Sequence, residues 1–237
     1  MKLLTPKEVI ALLAAQYGRL PQRPRRDPID ELVLGVLSQN TSDVNSDRAF
    51  AGLRSAFPSW RAVLEARPQD VKEAIRPGGL APTKSLRIKA MLGEILKRSG
   101  SFDLSFLRDM PLDEAESWLG SLSGVGPKTA AVVLLFSLGR PAFPVDTHVH
   151  RVLRRLGLAT SAASATRVQS TWEPRLEPEE VYPFHKYLIV HGRRTCVARR
   201  PRCRECSLCR RCPSATVFHP SLGAAVPCPR AGSDAIL

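Results

Sequence analysis

The sequence predicts an all-α protein. No stretch shows the alternating β-branched and aromatic pattern of a half-buried strand. Apolar residues recur instead at helical spacing, most clearly at Ile88, Met91, Leu92, Ile95 and Leu96, which fall at i, i+3, i+4, i+7, i+8. Between such runs lie connectors dense in Pro and Gly, at 20–28, 76–82 and 122–127, which break helical runs.

Thr5 before Pro6 is a cap-and-N1 pair, and Val9, Leu12 and Leu13 give the helix to Tyr17 one apolar face. Ile29 to Gln39 is an apolar helix running into the polar loop Ser38–Asp43, with Asp43 expected to cap a helix carrying Ala49, Leu53 and Phe57. Two short helices, Trp60 to Ala66 and Gln69 to Ile75, are parted by Pro68. Leu80 is stranded among turn formers, as a hydrophobic plug or as a wedge for a partner. Asp113 to Ser121 forms a helix that leads into the glycine turn Leu122–Gly126. Pro127 then opens a helix, to about Leu138, that is apolar on almost every side. Asp146 precedes a helix with Val149, Val152, Leu153 and Leu156 on one face. Residues 161–178 are weakly patterned, and Glu179 to His191 is helical again. Residues 214–237 lack periodicity and are expected to form a flexible tail.

The chain has 237 residues, 43% of them apolar, enough for one large or two small domains with a real core. Thirty-five Lys and Arg against 22 Asp and Glu leave a net charge of +13, which points first to nucleic acid and second to an anionic membrane as partner. The N-terminal apolar run is broken by Lys7 and Glu8, and the longest apolar run, Ala130 to Phe136, is too short to span a bilayer.

Three features carry chemistry. Gly124, Val125 and Gly126 between two helices can present backbone N–H groups to a phosphate at a helix N-terminus, with glycine supplying positive φ and close approach. Lys128 beside them is a phosphate clamp or a nucleophile, the latter favoured by the helix dipole, basic surroundings and desolvation by apolar neighbours. Asp146 is a helix cap, a carboxylate partner for such a lysine, or both. Gln39 and Asn40 read as loop polarity. Cys196, Cys203, Cys206 and Cys212 are spaced C-x6-C-x2-C-x5-C, and Cys209 offers a second register with two residues in every gap. Four thiolates suit a [4Fe–4S] cluster or tetrahedral zinc. Arg193, Arg194, Arg199, Arg200, Arg202, Arg204, Arg210 and Arg211 surround them with one acid, Glu205.

Together LSGVGPKTAAVVL, VDTHVHRV and the C-x6-C-x2-C-x5-C cysteines resemble the endonuclease III family of helix-hairpin-helix DNA repair glycosylases. The resemblance covers about residues 5 to 213, and the motifs stand in family order. It implies a six-helix domain at 22–140 and a second domain from 1–21 with 141–213, DNA lying in the cleft between them. It implies Cys196, Cys203, Cys206 and Cys212 as ligands of a [4Fe–4S] cluster, with Cys209 spare. It implies Lys128 as nucleophile and Asp146 as its carboxylate, hence a bifunctional N-glycosylase and abasic-site lyase for oxidised pyrimidines. Asn40 lies where the family inserts a probing side chain, Gln39 standing in if the register slips, and Leu80 where it places a wedge. Asn40 is shorter than the family's usual glutamine, and Ala81-Pro82 replace a larger residue after the wedge. The alternatives are a narrower or mismatch glycosylase, a mainly lyase enzyme, or a non-catalytic iron–sulfur DNA-binding protein. The full expectation is a monomer on damaged or abasic double-stranded DNA, cytoplasmic and nucleoid-associated, with no membrane partner.

Overall fold

The computed structural model of the chain describes residues 3–22 and 25–219, and among these no strand is present. The chain divides into two compact units, one formed by Pro24–Arg140, the other by Met1–Arg23 with Pro141–Leu237.

The first unit contains α2 (Pro28–Leu37), α3 (Asp43–Ala56), α4 (Trp60–Glu65), α5 (Pro68–Ala74), α6 (Ala81–Ser99), α7 (Leu112–Gly120) and α8 (Pro127–Val132). Its core is the set of faces the periodicity marks: Ile29, Leu32, Val33, Val36 and Leu37 of α2 and Ile88, Met91, Leu92 and Ile95 of α6 are all fully buried. α8 continues without a break into a wider π-helical turn, Val133–Leu138, all six of whose residues are buried. That explains a helix apolar on almost every side: it runs through the middle of its unit. α2 crosses it closely. A Cβ at Gly35 would lie 2.6 Å from Thr129 Cγ2, so a larger residue there would force the helices apart.

The start of α3 differs from the sequence reading. Its N-cap is Ser42, whose hydroxyl accepts from the Asn45 amide at 3.3 Å, and Asp43 is the first helical residue. Either residue type can cap, and the hydroxyl took the place one residue earlier.

The second unit contains α1 (Pro6–Tyr17), α9 (Thr147–Arg155), α10 (Ala165–Trp172), α11 (Pro178–Arg194) and α12 (Ala215–Phe218). Thr5 and Glu8 form a reciprocal capping box on α1. α11 packs against both α1 and α9. Phe143 and Phe184 stack at 5.6 Å in the core. α10 falls in the weakly patterned stretch; at eight residues it is too short for periodicity to reveal, although Ser164 caps it and Val168 and Trp172 are buried. The first residues of the expected tail include the short helix α12. Ala215 of α12 is buried, and the Arg155 guanidinium lies 4.5 Å over the Phe218 ring. The remainder, 220–237, lies outside the described residues.

Candidate active site and cysteine centre

The glycine turn is anchored by two buried side chains, Leu122 and Val125, and braced from two helices. Glu94 of α6 accepts from the Ser123 amide at 2.8 Å and from its hydroxyl at 2.5 Å. The Gln39 carboxamide donates to the Gly124 carbonyl at 3.0 Å, and its own oxygen accepts from Arg87 of α6 at 3.0 Å. Only one of the two glycines uses left-handed backbone. Gly124 has φ +81, whereas Gly126 is extended at φ −102. A Cβ at Gly126 would meet nothing within 4 Å, so the missing side chain leaves the surface open to an approaching ligand. Among the described residues the amides of Gly124, Gly126 and Lys128 find no protein acceptor. They are three donors free for an anion at the start of α8.

Lys128 is exposed on the first turn of α8. The apolar residues around it in sequence, Ala130, Ala131 and Val133, point into the core and do not enclose it. The desolvation expected from those neighbours is therefore absent.

Two loop residues of the same unit adopt left-handed backbone without being glycine. Asn40 has φ +54 and is exposed; Leu80 has φ +49 and is 56% exposed as the residue before α6. For a bulky residue such as Leu80 this conformation is uncommon and costs about 1–2 kcal/mol, whereas Asn40 adopts it readily through its short polar side chain. Strain combined with an exposed apolar side chain points to a function outside the fold. Gln39 differs from its neighbour: both ends of its carboxamide are engaged in bracing the turn, so it is a support rather than a free probe.

Asp146 belongs to the other unit. Its Oδ1 accepts from the amides of His148 at 2.9 Å and Val149 at 2.8 Å, making it the N-cap of α9. No hydrogen bond to Oδ2 is found among the described residues, so capping leaves one carboxylate oxygen available.

Cys196, Cys203, Cys206 and Cys212 are free thiols that line a common cavity with Cys209, beside α9 and the end of α11. Among the described residues no three His, Cys, Asp or Glu side chains form a single-ion site. Burial pushes the Cys206 thiol up to about 12 and that of Cys212 to about 11, with the neighbouring cysteines adding to both shifts. Such thiols become thiolates only with a compensating cation. Arg155 donates to Cys196 Sγ at 3.3 Å and to the carbonyls of Val197 and Ala198, while Arg151 holds the Cys196 carbonyl at 3.0 Å. These two arginines shape the loop from inside; neither was singled out from sequence, because a helix with one apolar face is expected to carry arginines on the other. Arg199 and Arg200 are exposed, Arg200 with φ +53. Arg211 is committed elsewhere, to Glu8 at 2.6 Å, and the guanidinium holds that carboxyl well down, at about 2.

Residues 33–178 match the family of HhH-GPD superfamily base excision DNA repair proteins. The chain belongs to this family. Within it, endonuclease III of Treponema pallidum is 35% identical over 214 residues, spanning 88% of this chain and 96% of the relative. Endonuclease III of Escherichia coli is 35% identical over 182 residues, 76% of this chain and 80% of that one. A relative from Arabidopsis thaliana is 38% identical over 165 residues, which are 70% of this chain but 56% of the longer plant protein. A solved structure of a trapped endonuclease III–DNA covalent intermediate superposes with a TM-score of 0.77 at 26% identity, covering 91% of this chain and 99% of that one. The HhH-GPD protein is thus an endonuclease III-like enzyme of base excision repair, a DNA glycosylase with abasic-site lyase activity. The non-catalytic alternative falls away. No helix among the described residues is long and apolar enough to cross a membrane.

The brace on the turn is testable. Gln39→Ala removes the donor to the part-buried Gly124 carbonyl and the acceptor of exposed Arg87, and is expected to cost about 0.5–1.5 kcal/mol of stability. Denaturant melts measure it; a midpoint unchanged from wild type would show the brace to be dispensable.

Proposed function

We propose that this HhH-GPD enzyme removes oxidised pyrimidines from double-stranded DNA and then cuts the strand, with Lys128 as the nucleophile. The observation that carries the reading is an exposed lysine at a helix start beside three unpaired backbone amides. Those amides, from Gly124, Gly126 and Lys128, bind a backbone phosphate near the damaged nucleotide, and Arg199 and Arg200 bind further phosphates. The damaged nucleotide is flipped out, Leu80 wedging the stack and Asn40 filling the gap it leaves. The strained backbone at Leu80 and the exposure of both side chains support that assignment.

Lys128 Nζ attacks C1′ as the base departs with the electron pair of the glycosidic bond. Attack needs a neutral amine, and because Lys128 is exposed in the free protein, water must be displaced from it by the bound DNA. Opening of the sugar gives a Schiff base. Loss of a proton from C2′ then expels the 3′ phosphate, and hydrolysis frees the lysine. Asp146 serves these proton transfers through Oδ2, the oxygen that capping leaves free, and offsets positive charge on the iminium.

Cys196, Cys203, Cys206 and Cys212 fit a [4Fe–4S] cluster. Four free thiols line one cavity, and their C-x6-C-x2-C-x5-C spacing is the one by which the chain resembles the cluster-bearing endonuclease III family, which favours a [4Fe–4S] centre over zinc. When bound, the cluster supplies the charge that keeps these thiols ionised and a fixed core for the arginine-bearing loop. A narrower lesion range is the second reading. Ala81 is buried and Pro82 comes next, so neither residue after Leu80 offers a polar or aromatic side chain to read the opposite strand.

Borohydride is expected to trap the enzyme covalently on abasic duplex DNA, and Lys128→Ala to reduce trapping by about 10³-fold or more. Persistent trapping by the variant would remove the assignment. The purified protein is expected to be brown, with about four iron atoms per chain and absorbance near ~400 nm. A colourless protein holding one zinc would reverse the choice of metal.

A further inference from the structure

Lys84 is the largest side chain that the first unit buries completely, at 1% exposure. It stands in the first turn of α6, four residues before Ile88 and so on the buried stripe of that helix, where an apolar residue is the ordinary occupant; the lyase chemistry does not account for a lysine there. Its ammonium donates to the carbonyl of Leu37 at 2.6 Å and to that of Gly78 at 2.8 Å. No carboxylate pairs with it among the described residues. A buried cation held only by carbonyl dipoles is expensive, and burial lowers its pKa from the usual lysine value. Even a neutral amine would retain two N–H donors for the same two carbonyls.

Both acceptors lie at the bases of loops. Leu37 is the last residue of α2, three residues before Asn40. Gly78 is two residues before Leu80. The Lys84 amide also binds the Leu80 carbonyl, at 3.0 Å. The loops approach closely here: a Cβ at Gly78 would sit 3.0 Å from Ala49 Cβ and 3.9 Å from the Leu37 carbonyl oxygen. One side chain thus ties together the bases of two loops, each of which carries an exposed residue in left-handed backbone.

We propose that Lys84 is a positioning residue that locks the Asn40 loop and the Leu80 turn into one rigid element, so that probe and wedge enter the DNA stack together. The proposal rests on the reading of Asn40 and Leu80 as inserted residues. Coordinated insertion explains why a buried, unpaired ammonium is kept where an apolar side chain of similar length would be less costly. Two independently mobile loops would each have to be ordered on the DNA; a pre-assembled pair avoids that loss.

The test is a mutant cycle. Lys84→Met keeps length and loses the donors. Its expected phenotype is single-turnover excision of thymine glycol from a duplex about 10–100-fold slower than wild type. The fluorescence rise of 2-aminopurine placed opposite the lesion, which reports opening of the stack, should be lost in parallel. Borohydride trapping on a single-stranded oligonucleotide with a preformed abasic site needs no insertion and should stay within a few-fold of wild type. Asn40→Ala and Leu80→Ala should each slow duplex excision in the wild-type background and have little added effect in Lys84→Met, because coupled residues are non-additive. Lys84→Gln, which keeps an N–H donor on a shorter arm, should fall between. It takes the place of Lys84→Met in the cycle if that variant does not fold. Wild-type excision by the Lys84 variants, or full additivity with Asn40→Ala and Leu80→Ala, overturns the positioning role and leaves the reading of those two residues intact. If Asn40→Ala and Leu80→Ala have no effect in the wild-type background, that reading fails and the positioning role fails with it.

Discussion

The Gln39 carboxamide, held between the Gly124 carbonyl and Arg87, is the interaction on which the chemistry of the first unit depends. The glycine turn has no regular structure of its own, and its three unpaired amides are useful only if they point one way. Gln39 supplies the restraint from the end of α2, Glu94 supplies it from α6, and buried Leu122 and Val125 hold the turn from below. The same α2 and α6 carry Lys84 and its acceptor Leu37. The placement of Lys128, of the three unpaired amides and of the two left-handed loop residues therefore rests on one packed pair of helices. A change in the register of α2 against α6 would disturb all of them at once.

The second unit solves a different problem with similar means. Its cysteine loop has little apolar content and two short 3₁₀ turns. Arg151 and Arg155, projecting from α9, gather the carbonyls of Gly192 and of 196–198. Their charges are spent inward, while Arg199 and Arg200 stay exposed. Basic residues close in sequence thus divide into those that build the loop and those left exposed. A sum of charges does not reveal that division.

Helix existence was legible in the sequence because periodicity and capping agree: Thr5 with Pro6, the α6 stripe, and Asp146 before α9 are local signals. The resemblance to endonuclease III rested on motif order and is matched by relatives along most of the chain. What stayed hidden depends on contacts between distant residues. Gln39 reads as loop polarity until Gly124, 85 residues away, is found against it. Lys84 falls on the α6 stripe, but the two carbonyls that hold its ammonium, of Leu37 and Gly78, come together with it only in the fold. Lys128 was expected to be desolvated because its neighbours in sequence are apolar, but those neighbours face inward and the lysine faces out.

The proposed chemistry turns on the amine of Lys128 forming the covalent bond to the sugar. Peptide mapping by mass spectrometry of the borohydride-reduced complex with abasic DNA tests this most directly. A single cross-linked peptide is expected, spanning the start of α8, with the deoxyribose remnant on Lys128. A remnant on any other lysine, or on the α-amino group, would contradict it.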